Sequence, residues 1–159
     1  MSGKLAKEIR QSKPFQSREE EAFLNLGRTY EFLQRRVAGL LKQHQLTPAQ
    51  YNMLRILRGA GPDGVTCSQA TERMLSPDPD ITRLLDRMET HGLIRRDRGK
   101  EDRRVVITRI TDRGLALTNR IDAPLHHVFK QCLGRVSQQR LKELIDTLEA
   151  LRESVPQAQ

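Results

Sequence analysis

At 159 residues the chain is long enough for one domain or one compact two-lobed unit. Hydrophobic residues make up 36% and charged residues 30%, with a formal net charge of +8. That balance excludes a bilayer-spanning run of about 20 apolar residues, is thin for a self-sufficient monomer core, and points to an acidic partner such as nucleic acid.

Met1 to Gln16 reads as a loose arm, polar and basic with no apolar h-region, so it is not a secretory signal and the cytoplasm is the expected location. Ser17-x-x-Glu20 is a capping-box pattern that opens a helix. Phe23, Leu26, Tyr30, Leu33, Val37, Leu40 and Leu41 form one apolar stripe along it to about His44. Thr47-Pro48-Ala49-Gln50 starts a second helix, with Thr47 as N-cap, Pro48 in the first helical position and Gln50 closing a capping box. Its buried face is expected from Tyr51, Leu54, Ile56 and Leu57, and Gly59 to Gly64 should form a loop. Thr66 caps a short third helix, Cys67 to Met74. After the turn Ser76-Pro77-Asp78-Pro79, a fourth helix is expected with Asp78 as N-cap, Pro79 first, an inward face of Ile81, Leu84, Leu85 and Met88, and Gly92 at its end.

A β-hairpin follows: Leu93-Ile94-Arg95-Arg96, a charged turn from Asp97 to Asp102, and the β-branched return Arg104 to Ile110. A hairpin attached directly to a helix-turn-helix unit defines a winged helix. Thr111 caps a fifth helix to about Leu133 with a kink expected at Pro124, and Ser137 caps a sixth after Gly134. The fold class is mainly α with a small β-hairpin.

A helix-turn-helix works by placing the start of its second helix in the major groove. The polar face of the fourth helix carries Asp80, Thr82, Arg83, Asp86 and Arg87. The Arg83 fork matches O6 and N7 of guanine. Thr82 suits a base methyl or a phosphate, and Arg87 a phosphate. The plain alternative is a solvated face on which Arg83 and Arg87 pair with Asp86. Arg95, Arg96, Arg98, Lys100, Arg103 and Arg104 outnumber Asp97, Glu101 and Asp102 on the hairpin. A thin basic wing fits a minor groove and gives salt-dependent affinity with little sequence information. The alternative is a charged hairpin that merely keeps its surface hydrated.

Leu46 to Tyr51, Ile81 to Glu89, His91 to Arg96 and Glu101 to Gly114 together resemble the MarR (multiple antibiotic resistance regulator) family. The specific combination is Thr-Arg-Leu-x-Asp-Arg-x-Glu, then Gly-Leu-Ile, then Asp-x-Arg. It covers residues 18 to 155. The resemblance implies a winged helix-turn-helix with N- and C-terminal dimerisation helices: a flexible arm at residues 1–16, a dimerisation region at 17–45 and 111–155, and a DNA-binding domain at 46–110. It implies a homodimeric regulator, expected to be a repressor, that binds palindromic double-stranded DNA with half-sites roughly 10 bp apart. Asp102 and Arg104 match the wing motif, with Arg104 as its minor-groove residue. Many members release DNA when a small aromatic or phenolic acid enters a cleft between dimer helices and winged domain. Two features depart from the family: the prolines Pro77 and Pro79 ahead of the recognition helix, and an aromatic content of 4%.

Rival readings stay on the table. A redox-responsive regulator would use Cys67, at a helix start, or Cys132, in the dimer region. The two cysteines are far apart, with no Cys-x-x-Cys and no nearby His pair, so neither a metal site nor a disulfide framework is expected, and both thiols are expected reduced. An enzyme lacks support: His44, His91, His126 and His127 form no His-Glu-x-x-His, and no phosphate loop is present. No cofactor is expected. A winged helix used only for protein contacts needs an apolar recognition face, and a membrane binder needs its cations along an amphipathic helix.

Overall fold

The computed structural model describes residues 4–76, 78–99 and 104–154. Helix α1 (Lys4–Glu8) lies within the segment read as a loose arm and buries Leu5. Helix α2 (Arg18–Gln43) begins at the Ser17 cap, whose hydroxyl accepts the Glu20 N–H. Helix α3 (Pro48–Ala60) carries the full capping box: Thr47 accepts the Gln50 N–H, and the Gln50 side chain accepts the Thr47 N–H. It runs on into a single 3-10 turn, Gly61–Asp63, so the expected loop is mostly helical.

Strand β1 (Val65–Thr66) precedes α4 (Cys67–Glu72), which has a second capping box from Thr66 and Gln69. Helix α5 (Ile81–Thr90) is followed by β2 (Ile94–Arg98) and β3 (Val106–Ile110). Helix α6 (Asp112–Leu133) is continuous through Pro124, and α7 (Gln138–Ser154) ends the described chain.

The sheet is antiparallel in the order β1-β3-β2. Ile94 pairs with Ile110 and Arg98 with Val106, and β1 adds Val65 opposite Thr108. The core fills the space between α3, α5, the sheet and the adjoining ends of α2 and α6. Leu41, Met53, Leu54, Leu57, Met88 and Ile121 are fully buried there. Met53 takes a core place where Ile56 was expected; Ile56 is half-buried. Gly114 is needed for the close approach of α6 to the wing, since a Cβ there would lie 2.2 Å from the Leu93 carbonyl oxygen.

The two ends of the molecule are built differently. On α2, Phe23 is 74% exposed, and Tyr30 and Phe32 are more than half exposed. On α7, Leu144, Ile145 and Leu151 are exposed and nothing is buried. No helix among the described residues is long and apolar enough to cross a membrane.

Candidate nucleic-acid interface

Helix α5 starts two residues later than the sequence reading placed it. Asp80, not Asp78, is its N-cap, and its carboxylate accepts the Arg83 N–H at 3.2 Å. Asp78 instead accepts the Asp80 N–H at 2.9 Å, which makes an Asx-type turn ahead of the helix. Asp80, expected on the DNA-reading face, is thus engaged with the helix's own first turn. Helix α5 ends in a Schellman arrangement: Leu93 N–H reaches Met88 O, Gly92 N–H reaches Glu89 O, and Gly92 has φ +65°.

The apolar stripe Leu84, Leu85 and Met88 is buried, which turns Thr82, Arg83, Asp86 and Arg87 to the exterior. The expected pairing of Arg83 or Arg87 with Asp86 is not formed. Asp86 instead accepts from Arg96 Nη2 at 2.6 Å. The same guanidinium donates to Glu89 Oε2 from Nε at 2.9 Å and from Nη2 at 2.6 Å, and the Arg96 backbone N–H reaches Glu89 Oε1 at 2.9 Å. Arg96 beside Glu89 holds that carboxyl below the usual carboxylate range, against the opposing effect of burial. Arg96, expected to face DNA from the wing, is therefore bound to the recognition helix, with its side chain 25% exposed.

The wing base follows the same pattern. Asp97 accepts from Arg109 Nη1 at 3.2 Å and lies 3.5 Å from Arg95 Nε, and Arg109 Nε donates to the Pro62 carbonyl at 2.8 Å. The described acids of α5's outer face and β2 are thus held by strand arginines. Among the described residues, Arg83, Arg87 and Arg98 are exposed and form no ion pair. Arg104 is exposed just before β3. Lys100, Asp102 and Arg103, the remaining expected wing residues, lie outside the described residues.

The winged lobe is tied to α6 by a polar cluster absent from the sequence reading. Arg58 donates to both Asp122 oxygens, at 2.7 and 3.2 Å, and to Asn119 Oδ1 at 2.9 Å. The Tyr51 hydroxyl donates to Asp122 at 3.3 Å. Hydrogen bonding to Arg58 lowers the Asp122 pKa, and burial, then Asp122, raises that of Tyr51. The helical pattern could have flagged Tyr51 and Arg58, two turns apart on α3, but the acid they share is 64 residues beyond Arg58.

A cleft of about 380 Å³ opens where the ends of α2 and α5 meet the starts of α3 and α6. His44, His91, Arg113 and Arg120 line it above Leu46, Leu93 and Leu117, and its lining contains no acid. Cys67 begins α4 and Cys132 lies near the end of α6; both are half-buried free thiols. Among the described residues, no group of three or more His, Cys, Asp or Glu side chains is placed to hold a metal.

This arrangement defines a winged helix-turn-helix DNA-binding protein. The MarR family model matches residues 44–105. A MarR transcription factor of known structure from Planctomyces limnophilus is 38% identical, with 86% of this chain aligned to 99% of that one and a TM-score of 0.67. The HTH-type transcriptional regulator TtmR of Methylorubrum extorquens is 31% identical over 73% of this chain, a match spanning only 57% of TtmR's length. The homoprotocatechuate degradative operon repressor of Escherichia coli is 28% identical over 69% of this chain and 73% of its own length. The chain belongs to the MarR family of transcriptional regulators, which act by binding DNA and are not enzymes.

Proposed function

We propose that this protein is a cytoplasmic homodimeric repressor that binds a palindromic operator through two copies of α5. The observation that carries this reading is the distribution of charge on the winged lobe: its described acids are paired with strand arginines, while Arg83, Arg87 and Arg98 face outward without acidic partners. Arg83 reads a base edge; Thr82 and Arg87 add base-methyl or phosphate contacts; Arg98, Arg104 and the neighbouring wing cations Lys100 and Arg103 follow the backbone or minor groove, with Asp102 orienting Arg104. The arm at residues 1–16 precedes a dimerisation region formed by residues 17–45 and 111–155, and residues 46–110 form the DNA-binding unit. Bare apolar side chains on α2 and α7 support the dimer, since each large one contributes about 1.5–3 kcal/mol when buried. The repressor role is supported by the name of the Escherichia coli relative.

The basic cleft between α6 and the end of α5 suits a small aromatic or phenolic acid, its carboxylate or phenolate facing the arginines and its ring facing the leucines. An effector there releases DNA only if it binds the DNA-free arrangement more tightly.

Titration of the protein against a duplex from upstream of its own gene, with salt and random competitor DNA, tests the reading. Nanomolar affinity, a steep negative salt slope and a two-fold symmetric footprint are expected. Absence of binding to every duplex at low salt would sink it.

A further inference from the structure

We propose that Arg96 is a positioning residue that keeps the reading arginines of α5 available for DNA by drawing Asp86 and Glu89 away from them. Asp86 follows Arg83 by three residues, a spacing that makes the two side chains neighbours on a helix surface, and it is adjacent in sequence to Arg87. Left to itself, that carboxylate competes with DNA for both. Arg96 prevents this through geometry set by the strand. It stands two residues beyond buried Ile94 and so on the same face of β2, aimed at α5 rather than at solvent. From there one guanidinium spans Asp86 at 2.6 Å and Glu89 at 2.6 and 2.9 Å, and its backbone N–H fixes the second Glu89 oxygen. The same contacts join the wing to the recognition helix, so the two reading elements move as one body. The inference rests on the outer face of α5 reading DNA.

The experiment uses a duplex selected by the parent protein from a random-sequence pool. It compares the parent with Arg96→Met, Arg96→Lys and the double variant Arg96→Met/Asp86→Asn. Affinity, salt slope and thermal midpoint are measured for each. Arg96→Met is expected to weaken binding about tenfold, the effect of re-pairing two exposed arginines, with the salt slope unchanged. Arg96→Lys keeps a cation between the acids and should stay within about threefold of the parent. Asp86→Asn should restore most of the affinity lost by Arg96→Met without restoring its thermal midpoint, an outcome that a purely structural role does not give.

A fall in the salt slope by about 0.9 with no rescue would make Arg96 a phosphate contact and overturn the proposal. So would unchanged binding by Arg96→Met, or a loss that follows the thermal midpoint and is not rescued. A parent that selects no duplex at all would remove the DNA reading as well, a failure visible before any variant is compared.

Discussion

Helix α3 buries five of its 13 residues, whereas α7 buries none of its 17. Helix α2 contains both conditions. Near its end Leu41 is fully buried and Val37 and Leu40 pack on the core, but toward its start Phe23, Leu26 and Tyr30 are bare. The winged lobe therefore closes its core within one chain, while the outer helices present amphipathic faces with nothing of their own to cover them. A domain's net stability is only about 5–15 kcal/mol, so so many bare apolar side chains are a burden unless a second copy covers them.

The largest expected effect comes from breaking that cover. Replacing Leu144 and Ile145 together by Asp should leave the winged lobe folded but give a monomer in sedimentation velocity. Linked half-sites gain about 10²–10⁴ in avidity, so operator affinity should fall by at least about 100-fold. A double variant that remains dimeric would move the interface off α7.

Within the winged lobe the effects divide by role. Arg83→Ala should cost about 1–3 kcal/mol and relax discrimination at one base pair, read by binding to a panel of single-base operator variants. Arg104→Ala should weaken binding to all duplexes alike and reduce the salt slope by about 0.9. If the two variants behave the same, the division into a reading helix and a backbone-following wing is wrong.

The link between the two regions should respond to acid. Asp122 has its pKa lowered by the hydrogen bonds from Arg58, against an ordinary value of 3.8. A carboxyl whose folded pKa is depressed stabilises the fold at pH values above that ordinary value, and the contribution is lost as pH falls through the folded pKa. Asp122→Asn should therefore lower the thermal midpoint at neutral pH, and the gap should close below about pH 3.8. For a pair this exposed the loss is about 1 kcal/mol or less. An equal gap at pH 7 and pH 3 would show that Arg58 and Asp122 contribute nothing through charge.

What the sequence made legible was mostly local. The caps at Ser17, Thr47, Thr66 and Thr111 involve residues three apart, and all form as read. Asp78-Pro79-Asp80 holds two candidate caps, and the choice of Asp80 depends on where Ile81 meets the core, which local pattern does not record. Strand β1 is two residues long and pairs with Thr108 and Ile107, over 40 residues away, so it has no period of its own. At the site, the outward set Thr82, Arg83 and Arg87 was readable from the 3.6-residue stripe. The fate of Arg96 was readable only from the two-residue period of β2, which puts it on the face of Ile94. Arg58 and Asp122 meet by tertiary packing alone.

The smallest effect compares two helix ends, one in each region. Both α2 and α5 finish in the same Schellman geometry. In α2 the Leu46 N–H reaches Leu41 O and the Gln45 N–H reaches Lys42 O, matching Leu93 to Met88 and Gly92 to Glu89 in α5. The left-handed residue is Gln45 at φ +58° in α2 and Gly92 at φ +65° in α5. A side chain costs about 1–2 kcal/mol in that conformation. Gln45→Gly removes the cost but increases the freedom lost on folding by about 0.4–1 kcal/mol, so a net gain of about 0.5 kcal/mol is expected, roughly 1–2 °C in thermal midpoint. Gly92→Ala should shift the midpoint the opposite way. Gln45 also lines the basic cleft. If Gln45→Gly stabilises the fold yet weakens binding of an aromatic acid, that residue is strained for the sake of the cleft; if it stabilises the fold and leaves such binding unchanged, its side chain has no part in the cleft's recognition.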